Sequence, residues 1–290
     1  MAEAKLRITI DVFSGRENPV VELSGKRLQQ AARRLEPESR ESTGEALVPR
    51  VPTLGYRGLV VEQFGTRLRG LPSSFRVADG TAFGPGLASR IADGTFEDFV
   101  CGSVPKPFPV EDIRRELQRF RELLDFWRRW RWDVILWPKL NPCRCAPLYE
   151  PEWWNVPARQ PFNNCYNYAC DYRTNSFAQP GRAAGAMYAA LTCASVKPAA
   201  VADELVDSPG ADNKCPAEGH LVALVIWPNG DFHWYRKGRD GTWSHKPGGT
   251  AVTNLDNSGN PITDPRTADR GPYTDFCTFM VVHHGHVRIQ

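Results

Sequence analysis

An apolar run that ends in a turn is the feature that most restricts how this chain can fold. Residues 219–226 begin with Gly-His and continue as six apolar residues, a pattern that predicts a buried strand. The turn-forming sequence Pro-Asn-Gly-Asp follows at 228–231, and an extended segment, 232–236, runs back from it. We therefore predict an antiparallel hairpin in which His220 and His233 lie near the paired ends, within reach of each other.

A cysteine upstream of this hairpin lies in the sequence Asn-Asn-Cys-Tyr-Asn-Tyr-Ala. Either Asn163 or Asn164 can cap a short helix that runs through Tyr172, which would place Cys165 in its first turn. A helix N-terminus and a nearby imidazole both lower the pKa of a thiol, and the thiolate is the reactive form. The sequence thus predicts a cysteine prepared for nucleophilic chemistry.

The order of these residues resembles that of papain-like cysteine peptidases, especially the branch of NlpC-type endopeptidases and CHAP-type amidases. In that branch a cysteine begins a helix, a Gly-His starts the first core strand, and a third polar residue follows one hairpin later. The resemblance covers about residues 160–240. It implies a hydrolase or transferase acting on an amide, peptide or thioester bond. Cys165 would then be the nucleophile, His220 the general base and His233 the orienting group.

Three more residues complete the predicted site. Gln160 lies five residues before Cys165, as a glutamine lies upstream of the papain cysteine, so its amide is a candidate for the oxyanion hole. Asn164 and Trp234 are expected to contact the oxyanion or the substrate.

His245 leaves the identity of the base open. It lies in a Gly/Pro-rich loop and is a second candidate, with His233 as its partner, or else a contact for the substrate. A metal-dependent enzyme that uses His220, His233 and His245 is a lower-ranked alternative. The histidines of residues 283–286 are interpreted as polar residues at the end of a strand rather than as metal ligands. We therefore expect no metal, and because no Gly-rich loop fits a phosphate, no cofactor.

Eight cysteines support a competing, non-enzymatic interpretation. One or two disulfides involving Cys143, Cys145 or Cys215 are an alternative to plain buried thiols. In a toxin-like or binding module with structural cysteines, Cys165 would be oxidised to Cys170 or another partner. The sequence leaves both functions open.

The pattern along the chain predicts an α+β fold in three parts. Residues 1–105 form an accessory α+β domain that is a candidate for binding a protein partner. Residues 106–159 form a connector, and residues 160–290 form the papain-like domain, with a helix packed on an antiparallel sheet. Within the connector, residues 111–131 are predicted to be a helix. Its apolar face comprises Ile113, Leu117, Phe120, Leu124 and Trp127.

Charge and hydropathy exclude several functional classes. The formal net charge of +3 on 290 residues gives no support for nucleic-acid binding. No apolar stretch approaches the length of a membrane-spanning helix, and the first residues contain no apolar core of a signal peptide. We expect a protein without a membrane span, either cytoplasmic or exported by a signal-independent route.

Overall fold

The structure of this chain is a computed structural model, and it describes residues 4–35, 53–68, 70–78, 80–84, 87–90, 95–104, 111, 113–118 and 143–290. The chain divides into two compact units. Unit 1 contains residues 1–12, 18–50 and 56–131. Unit 2 contains residues 13–17, 51–55 and 132–290. The short segment Phe13–Glu17 and residues 143–159 of the predicted connector therefore belong to the same unit as the candidate site.

Unit 1 is built on a six-stranded antiparallel sheet with the order β2-β1-β3-β4-β5-β6. Its strands are β1 Lys5–Ile10, β2 Val20–Leu23, β3 Leu59–Phe64, β4 Ser74–Ala78, β5 Thr81–Gly84 and β6 Leu87–Arg90. Strand β1 buries Leu6, Ile8 and Ile10 on one face, because side chains alternate across a strand.

Three helices of unit 1 are described. They are α1 Gly25–Arg34, α2 Phe96–Cys101 and α3 at residues 113–118. Helix α1 begins after Ser24 and buries Leu28 and Ala31. Helix α3 buries Ile113 and Leu117, the first two residues of the predicted apolar face. Phe120, Leu124 and Trp127 of that face lie outside the described residues.

Unit 2 contains a five-stranded antiparallel sheet with the order β10-β9-β8-β11-β7. The strands are β7 Val206–Asp207, β8 His220–Trp227, β9 Asp231–Lys237, β10 Trp243–His245 and β11 Asp275–Val282. The helices are α4 Pro151–Trp154, α5 Cys165–Ala169 and α6 Cys193–Ala202, with a 3-10 helix at Gln160–Phe162.

The two central strands of this sheet carry the core of unit 2. Every residue of β8 and β9 is buried, so both faces of the sheet are covered at these strands. Helix α5 packs against β9 and contributes Cys165, Tyr166 and Ala169 to the core. Helices thus combine with antiparallel sheets, and the predicted α+β fold is confirmed. Among the described residues, no helix is long and apolar enough to cross a membrane.

Candidate functional site

The predicted hairpin forms, but its register separates the two histidines. Asp231 pairs with Trp227 across the turn, so His233 faces Val225 rather than His220. His220 lies five residues from Val225, which corresponds to about 17 Å along a strand and to the opposite face of the sheet. The prediction that His220 and His233 meet at paired ends is therefore wrong. The sequence contained the information for this register, because the position of the turn determines which residues of the two strands pair.

Cys165 begins helix α5, as predicted, with Asn164 as its N-cap. The Asn164 side chain accepts hydrogen bonds from the amides of Tyr166 and Asn167, both at 3.1 Å, and the Asn167 side chain accepts one from the Asn164 amide. The helix ends at Ala169 and does not reach Tyr172.

The thiol of Cys165 is fully buried, and its surroundings favour the protonated form. Its Sγ lies 4.0 Å from the carbonyl oxygen of Phe232 on β9. Burial raises the pKa of this thiol well above its usual value, and the nearby Asp231 raises it further. A short helix N-terminus does not outweigh these effects, so Cys165 is a thiol and not a thiolate in this structure.

His220 is held by the backbone of helix α5. Its Nε2 lies 2.7 Å from the carbonyl oxygen of Ala169, and its ring packs 5.1 Å from that of His284. The Nδ1 atom is buried and has no hydrogen-bond partner among the residues that the structure describes. Burial lowers the pKa of His220 to about 3, so the ring is neutral near pH 7.

His233 and His245 form a pair in the interior of unit 2. The Nε2 of His233 on β9 lies 2.9 Å from the Nδ1 of His245 on β10. The Nε2 of His245 lies 3.0 Å from the carbonyl oxygen of Leu255. The structure therefore brings together two of the predicted residues.

Three residues that the sequence did not single out surround His233. The Nδ1 of His233 lies 3.0 Å from the Ser14 hydroxyl, which contacts the Tyr273 hydroxyl at 2.6 Å. Tyr273 donates to Asp231 at 2.6 Å. Asp231 also accepts hydrogen bonds from the backbone amides of Ser14, Gly15 and Arg16. Of these three residues, only Asp231 could have been singled out from its local sequence, because it lies in the predicted hairpin turn.

The expected oxyanion and substrate residues have structural partners. The Gln160 side chain donates to the carbonyl of Gly249 at 3.4 Å, and Asn164 donates to the carbonyls of Gly15 and Ala178 at 2.8 and 2.7 Å. Trp234 is buried against Tyr166, with ring centroids 5.3 Å apart. All three side chains therefore take part in packing or in internal hydrogen bonds.

A buried lysine fixes the chain around the start of α5. The Nζ of Lys246 donates to the carbonyls of Gln160, Asn163 and Gly248 at 2.6, 2.6 and 2.7 Å. Three carbonyl dipoles compensate the ammonium charge, which would otherwise be costly to bury. This contact connects the loop after β10 to the residues that precede Cys165.

In the described part of the chain, no group of three His, Cys, Asp or Glu side chains could hold a metal ion.

In the loop after β10, Asp256 accepts hydrogen bonds from the amides of Ser258 and Asn260 and so organises a turn. The rings of His283 and His286 lie 6.2 Å apart.

Two disulfides, both within unit 2, account for half of the eight cysteines. They join Cys143 to Cys215 and Cys193 to Cys277. The other four cysteines are not in disulfides: Cys145 is exposed, and Cys101, Cys165 and Cys170 are buried. Cys165 is therefore not oxidised to Cys170, as the non-enzymatic alternative had expected.

Comparisons with known proteins correct the functional terms drawn from the sequence. No family model matches the chain, and no solved structure matches it. Insoluble matrix shell protein 1 of Ruditapes philippinarum is 48% identical over 140 residues, which are 48% of this chain and 91% of that protein. A shell matrix protein points away from a peptidase or amidase, which corrects these two predicted terms, and the predicted term toxin has no support. With nearly half of the aligned residues identical along almost the whole of that relative, this chain belongs to the family of insoluble matrix shell protein 1.

Proposed function

We propose that this chain is a non-enzymatic structural component of an insoluble matrix. The observation that carries the proposal is the identity of 48% over 91% of a relative whose name places it in an insoluble shell matrix. Membership of a family does not by itself give this chain the role of its relative. The arrangement of residues in unit 2 therefore has to be consistent with a structural role.

The state of the predicted nucleophile supports a structural role. Cys165 is buried with a raised pKa, and nucleophilic attack requires an accessible thiolate. His220 is engaged by the Ala169 carbonyl, and His233 by His245 and Ser14. These residues stabilise the interior of unit 2 through their internal contacts.

The disulfides support the same role. They close loops with sequence separations of 72 and 84 residues. In the chain-entropy account, each contributes about 4 kcal/mol by restricting the unfolded chain. Disulfides persist in oxidising surroundings, so we place the functional protein outside the cytoplasm.

A sedimentation experiment tests this proposal. The purified, oxidised chain is mixed with the washed insoluble residue of decalcified Ruditapes philippinarum shell, and the fraction that pellets is measured after salt and detergent washes. We expect the folded chain to stay with the pellet. The control is the same chain after reduction and alkylation, which separates specific retention from adhesion of an unfolded polypeptide. A folded chain that remains in the supernatant, or that is retained no better than the control, contradicts the proposal.

A further inference from the structure

A lysine amine lies against an asparagine side-chain amide in unit 2. Lys237 is the last residue of β9 and is only 6% exposed. Its Nζ donates a hydrogen bond at 2.7 Å to the Oδ1 of Asn213, which lies between β7 and β8. Because a carbonyl bond is about 1.2 Å long, this contact places Nζ within about 3.9 Å of the amide carbon, Cγ. An amine is therefore held beside a carbon that amines attack.

An indole N–H donates to the same amide oxygen. Trp243 on β10 is the direct cross-strand partner of Lys237, so the two side chains lie on one face of the sheet. The Nε1 of Trp243 donates to the Oδ1 of Asn213 at 2.7 Å. A donor in this position stabilises the negative charge that develops on the oxygen during attack, as in an oxyanion hole. The Nδ2 of Asn213 donates to the carbonyl of Thr263 at 3.0 Å, which fixes the orientation of the amide.

The surroundings of Lys237 favour the neutral amine more than water does. Burial lowers the pKa of Lys237 to about 8, while the carboxylates of Asp264 and Asp240 act in the opposite direction. Asp264 also forms an ion pair with Arg266 at 2.6 Å. At pH 7 about one amine in ten is then neutral. Only the neutral amine has the free electron pair that attack requires, and carboxylates lie near enough to transfer its proton.

From this geometry we infer that Lys237 and Asn213 react in the folded protein and form an isopeptide bond between their side chains. The electron pair of Nζ forms a bond to Cγ, and the carbonyl electron pair moves to Oδ1, to which Trp243 donates. The carbonyl then re-forms while the bond from Cγ to Nδ2 breaks. One proton passes from Nζ to Nδ2 through the Asp264 carboxylate, so Nδ2 leaves as ammonia. The products are a secondary amide and ammonia, and the reaction consumes no oxidant or further reactant.

An isopeptide bond at this position fastens the loop before β8 to the sheet. It spans 24 residues of sequence and lies two residues from Cys215, which a disulfide joins to Cys143. Thiols break a disulfide by exchange, whereas they leave an amide intact. The loop therefore stays fastened under reducing conditions. This inference goes beyond the proposed matrix role and does not depend on it.

Intact-mass spectrometry of the full chain tests the inference. The folded chain is incubated above about pH 8, where the Lys237 amine is neutral, and is then reduced and unfolded. We expect a mass that is lower than that of the sequence by one ammonia. Proteolysis should then yield a cross-linked peptide that contains both Lys237 and Asn213. A chain that keeps the full mass of its sequence after this treatment overturns the inference.

Two lysine variants separate this reaction from other losses of ammonia. Lys237→Met removes the amine and should keep the full mass of its sequence. Lys214→Met replaces an exposed lysine next to Asn213 and should lose ammonia as the wild type does. Succinimide formation at an asparagine, such as Asn229 before Gly230, also releases ammonia but does not require Lys237. A loss of ammonia that persists in Lys237→Met therefore contradicts the inference. If that variant does not fold, the cross-linked peptide of the wild type decides.

A pair of tryptophan variants tests the role of the indole, with the mass followed over time. Trp243→Phe keeps an aromatic ring but removes the N–H that donates to Asn213, so the loss of ammonia should be about 100-fold slower. Trp234→Phe removes the N–H of another fully buried tryptophan of this sheet and should leave the rate unchanged. Equal rates in the two folded variants contradict the role of Trp243 as the donor to the oxyanion.

Discussion

At the scale of single residues, burial holds one histidine of unit 2 in its neutral form. His220 is buried, its Nε2 contacts the Ala169 carbonyl, and burial lowers its pKa to about 3. His233, on the same sheet, contacts the Ser14 hydroxyl and His245 through its two ring nitrogens. The same residue type therefore has different surroundings at these two positions.

Acid should destabilise the protein through His220. The unfolded chain takes up a proton near the usual histidine pKa of 6.5, whereas the folded chain does so only near 3, so stability falls as the pH falls between these values. At pH 4.5 this corresponds to roughly 2–3 kcal/mol. His220→Gln keeps an amide that can donate to Ala169 and does not titrate. Urea unfolding at pH 7.5 and 4.5 should show a larger loss for the wild type by about that amount. Parallel losses in the two proteins would count against this role.

At the scale of elements, the first turn of α5 depends on a single side chain. Asn164 caps the helix with its oxygen and uses its nitrogen to hold the carbonyls of Gly15 and Ala178. The cap was predictable, because an asparagine before a helix is a local signal. The two long-range bonds were not predictable, since Gly15 lies 149 residues away in the chain.

Replacement of this cap should be costly. Asn164→Ala removes two cap bonds and leaves two buried carbonyls without these donors, so we expect a loss of about 2–4 kcal/mol in the free energy of unfolding. Thr192 is a matched control, because it precedes α6 as the N-cap without a side-chain cap bond. Thr192→Ala should cost less than about 0.5 kcal/mol. Equal losses in the two variants would show that the cap bonds of Asn164 are not the cause.

At the scale of the whole molecule, the sequence predicted local structure better than it predicted the neighbours of the site. The hairpin and the start of α5 followed from periodicity and turn chemistry. The partners of His233 did not, because Ser14 is 219 residues away from it. Pairing of such distant polar residues leaves no local pattern in the sequence.

The pattern of reactive cysteines reports on this whole arrangement. Brief iodoacetamide treatment without reductant should add one group to the native chain, at the exposed Cys145, and none in Cys145→Ser. After unfolding without reductant, the buried thiols of Cys101, Cys165 and Cys170 should react as well. Intact-mass spectrometry with peptide mapping measures both states. Rapid labelling of Cys165 in the native chain would instead indicate an accessible, reactive thiol.

The order of the two disulfides along the chain gives unit 2 tolerance to cleavage. Cys193 lies inside the loop closed by Cys143 and Cys215, and its partner Cys277 lies beyond that loop, so the two loops interlock in sequence. A single cut at any point between residues 143 and 277 therefore leaves at least one bond joining the fragments. A protease that nicks this region once therefore releases no piece of it.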